Sequence, residues 1–204
     1  MAELIFYTNP QSRGRIARWM LEECGADYRT VVVDYGPEMK SEPFISINPM
    51  GKVPAIVYAG KPITETAAII TFLADLFPAA RLAPPPEQCQ DYYRWLFFAA
   101  GPLEAALTNK SLGFDLPADK SRMAGYGTYD LVVETLAKKV SRSSYIAGES
   151  FTAADVYVGS HVGYGLMFGG LPKRAEFTDY FARVSDRPAR ARADEMDNKL
   201  MKPA

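Results

Sequence analysis

Cysteine and histidine are almost missing from this chain: Cys24, Cys89 and His161 are the whole supply in 204 residues. A zinc centre needs several such ligands at short spacing, and no CxxC pair or histidine cluster is present, so no metal is expected. Each cysteine lies among apolar neighbours in a helical pattern and reads as a reduced packing residue. Net charge is scarce as well. Lys and Arg number 23 against 24 Asp and Glu, which provides no basic field for nucleic acid and no one-signed tail. No apolar run reaches the roughly 18 residues of a membrane span. The first residues, MAELIFYTNPQ, carry an acid where a signal peptide needs bases. No membrane association and a cytoplasmic location are the expectations.

What is present is an ordinary apolar fraction, 48%, enough for a substantial core. Up to residue 78 strands and helices alternate. LIFYT (Leu4 to Thr8) reads as a buried strand, Arg13 to Cys24 as a helix stopped by Gly25, and Tyr28 to Val33 as a second strand. After a connection, AIVYAG and KPI form a hairpin turning at Gly60, and a helix runs from Thr66 to Phe77 before Pro78. Residues 79–87, AARLAPPPE, are the linker, because a triple proline cannot continue a helix. Residues 88–204 contain helical patterns at Glu87 to Leu107, Ser121 to Val140, Thr152 to Phe168 and Phe177 to Ser185, with no convincing strand. The expected fold class is α/β up to residue 78 followed by an all-α domain.

Three stretches of the first half carry chemistry. In TNPQSRGRIAR, Ser12 reads as the N-cap of the first helix. Arg13 and Arg15 in its first turn oppose the helix dipole by about 0.3 to 1 kcal/mol each, unless an anion sits there. A thiolate is such an anion, and a helix N-terminus with a hydroxyl and a cation nearby lowers a thiol pKa. In GKVPAI, a cis bond before Pro54 would leave the backbone of Val53 open to an extended peptide, whereas a trans proline would simply open a strand. In ITETAAII, Glu65 and Thr66 lead a helix whose free N–H groups can hold a carboxylate while Glu65 accepts an ammonium. The plain alternative is N-capping. Together the three describe a site for a small peptide with an amino-acid head at one end and a sulfur near Ser12, which glutathione fits.

The order strand, TNPQSRGRIARWMLEE, NPMGKVPAI, TETAAIITFLADLFP, proline-rich linker and helical domain resembles the cytosolic glutathione transferases over nearly the whole chain. The PQSR loop is most similar to the bacterial chi-like group. That resemblance implies a thioredoxin-like N-terminal domain, an all-helical C-terminal domain, a homodimer, and glutathione as co-substrate without a metal. It implies that Val53 beside a cis Pro54 binds the cysteinyl backbone, that Glu65 and Thr66 hold the γ-glutamyl head, and that Lys52 and Lys40 approach the glycyl carboxylate. Ser12 is the implied thiol donor, assisted by Arg13 and Asn9, with Gln11 and Tyr7 in reserve. A small hydrophobic electrophile would bind between the domains, with Tyr93, Phe97, Tyr164, Met167 and Phe168 as candidate contacts, although aromatics at helical spacing also suit a core. The implied activity is transfer of alkyl or aryl groups to glutathione, as in detoxification. Glutathione-dependent reduction of peroxides or disulfides, and a non-catalytic binding module, are the alternatives. Thr152 and Asp155 read as a capping box, a structural feature, and His161 reads as a packing residue.

Overall fold

The structure, a computed structural model, describes residues 2–201. These form two compact units, one of residues up to Arg81 together with those from Arg187 onward, the other Leu82–Asp186.

The first unit is built on a four-stranded mixed sheet. Its elements are β1 (Leu4–Thr8), α1 (Gly14–Cys24), β2 (Arg29–Val32), a single helical turn α2 (Phe44–Ile47), β3 (Ala55–Tyr58), β4 (Lys61–Ile63) and α3 (Thr66–Leu76). The strand order is β2-β1-β3-β4. β1 pairs parallel with β2 and antiparallel with β3, and β3 pairs antiparallel with β4. Alternation along β1 explains the layers: Leu4, Phe6 and Thr8 are buried, while Ile5 and Tyr7 are half-buried. Ile16, Met20 and Leu21 of α1 and Ile69, Ile70 and Leu73 of α3 complete the core. On the other face Tyr7 and Val53 pack against Val33, Met39, Phe44 and Ala55.

A helix absent from the sequence-based reading, α9 (Pro188–Lys199), packs on α1 within this unit. It was invisible because it buries only Ala189, Ala193 and Asp197 and has no apolar stripe. It docks by charge instead. Arg18 and Asp197, both about 1% exposed, pair at 2.7 Å, and Arg187 grips both carboxylate oxygens of Glu23 at 2.6 and 2.7 Å. The all-helical domain was expected over residues 88–204; contacts group the residues from Arg187 onward with the sheet unit.

The second unit is helical: α4 (Gln90–Phe98), α5 (Glu104–Ser111), α6 (Tyr129–Val140), α7 (Ala153–Met167) and α8 (Ala175–Ser185). The single helix expected over Glu87 to Leu107 is split by a π-helical turn at Ala99–Leu103. Pro102, which has no N–H to donate, lies inside that turn. Similarly, α6 starts at Tyr129 rather than Ser121, where Thr128 Oγ1 accepts the Leu131 N–H at 3.2 Å. His161 is buried in α7, its Nδ1 on the Tyr157 carbonyl and its Nε2 on the Glu104 carboxylate.

Asp155 organises this unit. The Thr152 and Asp155 capping box is present, and the carboxylate does more than cap. Oδ1 accepts from the Ile146 N–H at 2.7 Å and the Tyr180 hydroxyl at 3.0 Å, and Oδ2 accepts from the Thr152 N–H at 2.9 Å and its hydroxyl at 3.1 Å. Burial pushes the carboxyl above the ordinary carboxylate range, and the four donors oppose that rise. Asp155→Ala leaves these four buried donors without their acceptor, and we expect a loss of about 2 to 4 kcal/mol in urea unfolding. A group whose pKa rises on folding stabilises most when protonated, so the wild-type advantage over the variant should shrink as pH rises past 3.8. A change under about 1 kcal/mol would contradict this role.

Candidate glutathione site on the sheet unit

Register brings the three stretches together. Tyr7 lies opposite Ala55, and Ile56 opposite Ile63. Those pairings put the end of β1, the start of β3 and the end of β4 at the same end of the sheet. The turn after β1, the segment before β3 and the start of α3 therefore share one end of the sheet, where the parallel pair β1 and β2 also ends. Two inter-strand spacings separate the outer two, about 10 Å. An extended tripeptide spans about the same distance.

The Val53–Pro54 peptide is cis, as the resemblance implied. The Val53 backbone N–H and C=O take no backbone hydrogen bond among the described residues. Backbone left open at a sheet end is the geometry that β-augmentation uses.

The two loops around this edge are one device used twice. Asn9 and Asn48 each precede a proline, and each is buried, 5% and 4% exposed. Asn9 Oδ1 accepts the Gln11 N–H at 3.0 Å and Asn48 Oδ1 the Met50 N–H at 3.1 Å, an Asx-turn in both cases. The Asn9 carbonyl accepts the Ser12 N–H at 3.1 Å and the Asn48 carbonyl the Gly51 N–H at 2.7 Å. Each amide then anchors its loop: Asn9 Nδ2 donates to the Val33 carbonyl at 3.1 Å, Asn48 Nδ2 to the Lys52 carbonyl at 2.7 Å. Asn9 was expected near the thiol; its side chain is a loop anchor. Asn48 was missed, although an Asn-Pro dipeptide is itself a turn signal.

Ser12 lies at the mouth of α1. Its Oγ donates to the Asn9 carbonyl at 2.7 Å and accepts the Gly14 N–H at 2.9 Å. It thus caps the helix at Gly14, two residues on. Gly14 has no room for a side chain: a Cβ there would fall 2.0 Å from Thr8 Oγ1 and 2.9 Å from Ser12 Oγ. Thr8 Oγ1, fully buried, has no hydrogen-bond partner. Arg13 occupies the N-cap position and is exposed. Arg15, the other cation opposing the dipole, turns away from the mouth toward α9. Tyr7 packs its ring on Phe44, the centroids 5.8 Å apart.

At the start of α3, Glu65 holds φ +66° and ψ 117°, a region that a non-glycine residue occupies at a cost of about 1 to 3 kcal/mol. Its side chain makes no capping bond and is exposed, so plain capping does not describe it. Thr66 is buried and opens the helix. The first intrahelical bond is Ile69 N–H to the Glu65 carbonyl, which leaves the N–H groups ahead of it pointing out of the helix end. Lys52 is exposed. Lys40 donates to the Met50 and Gly51 carbonyls at 3.0 and 2.8 Å, stitching the second loop from outside. Cys24 takes no part: burial, then the Glu23 charge, push its thiol up to about 12.

Known proteins share this fold and part of this sequence. Residues 13–76 match the family model of the glutathione S-transferase N-terminal domain. The chain is 28% identical over 165 residues to the disulfide-bond oxidoreductase YfcG of Escherichia coli K12, covering 74% of each chain. It is 27% identical over 143 residues to glutathione S-transferase GstA of Escherichia coli O157:H7, covering 68% of this chain and 70% of that one. A solved glutathione transferase homologue from Sulfitobacter with bound glutathione matches with TM-score 0.75 and 25% identity, over 98% of this chain and 100% of that chain. The fold is the glutathione transferase architecture, a thioredoxin-like domain followed by an all-α domain. The matches support the cytosolic glutathione S-transferase family.

If the two Asn-Pro turns hold the loops, Asn9→Ala and Asn48→Ala should each cost about 2 to 3 kcal/mol in urea unfolding, since each removes both hydrogen bonds of a buried carboxamide. Asn48→Asp should do no better than alanine, because a carboxylate cannot donate to the Lys52 carbonyl. A loss below about 0.5 kcal/mol at both sites would contradict the assignment.

Proposed function

We propose that this protein is a glutathione transferase that binds glutathione across the end of its sheet and activates the thiol for attack on a small apolar electrophile. One observation supports the reading: the Val53 backbone, without a backbone partner among the described residues, lies at the sheet end that the Ser12 loop and the strained start of α3 share. Val53 takes the cysteinyl backbone beside Pro54. Glu65 accepts the γ-glutamyl ammonium, and Thr66 with the N–H groups behind it receives the α-carboxylate. Lys52 and Lys40 set a positive field for the glycyl carboxylate. No metal takes part.

Ser12 is the thiol donor in this reading. Its proton bonds the Asn9 carbonyl in the empty site, and that carbonyl also holds the Ser12 N–H. The hydroxyl proton can therefore turn to a sulfur while the Gly14 N–H keeps Oγ in place, and the carbonyl retains one donor. Arg13 and the α1 N-terminus add positive field. The chi-like likeness of the PQSR loop belongs to this proposal, as do a cytoplasmic homodimer and a role in detoxification. Electrophile contacts are assigned to Tyr93, Phe97, Tyr164, Met167 and Phe168. Phe97, Met167 and Phe168 are each more than 70% exposed, which favours a contact surface over core for these three.

The similarity to a disulfide-bond oxidoreductase favours a second reading, glutathione-dependent disulfide reduction at the same site. There the bound thiolate attacks one sulfur of a disulfide, and the other sulfur leaves as a thiolate. A second glutathione thiolate resolves the mixed disulfide to oxidised glutathione. The half-buried Cys24 is not needed.

Calorimetric titration with glutathione, followed by the ultraviolet thiolate signal of the complex against pH, tests the proposal. Glu65→Ala should weaken binding about tenfold, the worth of one charge-assisted hydrogen bond. Ser12→Ala should raise the bound-thiol pKa by about one unit with a smaller change in Kd. Unchanged thiol pKa in Ser12→Ala removes Ser12 from the chemistry, and no binding by the wild type favours a non-catalytic module.

A further inference from the structure

Arg15 joins the loop after β1 to α9. Its Nε donates to the Pro10 carbonyl at 2.7 Å, inside the Asn9 turn. One terminal nitrogen pairs with Asp194 Oδ1 at 3.3 Å, and the other donates to Asn198 Oδ1 at 2.6 Å. Asp194 is shared with Arg190, whose guanidinium lies 4.9 Å from the Trp19 ring centre. Arg15 and Trp19 stand on α1 and Asp194, Asn198 and Arg190 on α9, so the fork of Arg15 is fixed from the helix side and reaches the loop with its remaining nitrogen. Only a planar guanidinium presents donors in three directions at once.

The dipole cost of a cation in the first turn of α1 is thereby explained for this residue. Its charge is met by α9, and its position in the turn is what puts Nε within reach of Pro10. α9 carries almost no apolar surface of its own, and its alignment on α1 rests on Arg15, Arg18, Arg187 and Arg192.

We propose that Arg15 is a positioning residue for the thiol-binding loop, holding the Pro10 carbonyl and coupling the docking of α9 to the placement of Ser12. This rests on the reading that Ser12 meets the glutathione sulfur. The arrangement makes a specific demand: loosening α9 at Asp194 and Asn198 should loosen Ser12, although neither residue touches the loop.

Amide hydrogen exchange without glutathione tests the coupling. The Ser12 and Gly14 N–H groups report the loop, and the Ile69 N–H, bonded to the Glu65 carbonyl, is the control on α3. In Arg15→Met, which keeps the length of the stem, Ser12 and Gly14 should exchange about tenfold faster relative to Ile69. Asp194→Asn combined with Asn198→Ala should act in the same direction. With glutathione present, Arg15→Met should raise the bound-thiol pKa more than it changes Kd. Equal acceleration at Ile69, or unchanged exchange at Ser12 and Gly14, overturns the proposal. Failure of the wild type to bind glutathione overturns the functional reading instead, and the exchange comparison keeps the two apart.

Discussion

Two buried asparagine side chains set the position of everything at the sheet end. A strand end leaves backbone groups without ladder partners, and in a buried setting each must find another. Asn9 and Asn48 supply those partners from a single residue each. The carboxamide closes the local turn with its oxygen and ties the turn to a neighbouring segment with its nitrogen. The proline that follows each restricts the chain further. As a result the Ser12 mouth and the Val53 edge are stiff before any ligand arrives, so binding loses less to the ordering of the protein.

Charge is arranged around that frame in two kinds. The buried Arg18 and Asp197 pair and the Arg187 and Glu23 pair are structural, and removing one partner of the former would strand a charge in the core. Arg13, Lys52 and Glu65 are exposed instead, and the proposed function assigns them to the ligand. A strained backbone at Glu65, with the carboxylate outside any cap, costs stability and gives nothing back to the helix. Such an outlier is consistent with a ligand-holding role, and it lies at the sheet end that also carries Val53.

Much of the first unit was legible. Strands β1 to β4 and helices α1 and α3 follow from alternation, helical spacing and stop signals, and the register then places the three chemical stretches without further input. The site's supports were less visible. Asn48 looked like loop filler because its work lies in contacts with Met50 and Lys52 that periodicity does not encode. Helix α9 was missed because hydrophobic pattern is the primary signal and its docking is ionic. Arg15 was noticed only as a charge in an unfavourable place, since its partners lie about 180 residues away. The interruption at Pro102 could have been read from the proline, but the apolar spacing on both sides masked it.

The most direct test of the central claim is the pattern of backbone amide shifts in an ¹⁵N-labelled sample titrated with reduced glutathione. The account predicts saturable shifts concentrated at Ser12, Val53, Glu65 and Thr66, with the second unit's Ile146 and Thr152 amides unmoved. Saturable shifts that avoid Val53 and Thr66, or no shifts at millimolar glutathione, would contradict it.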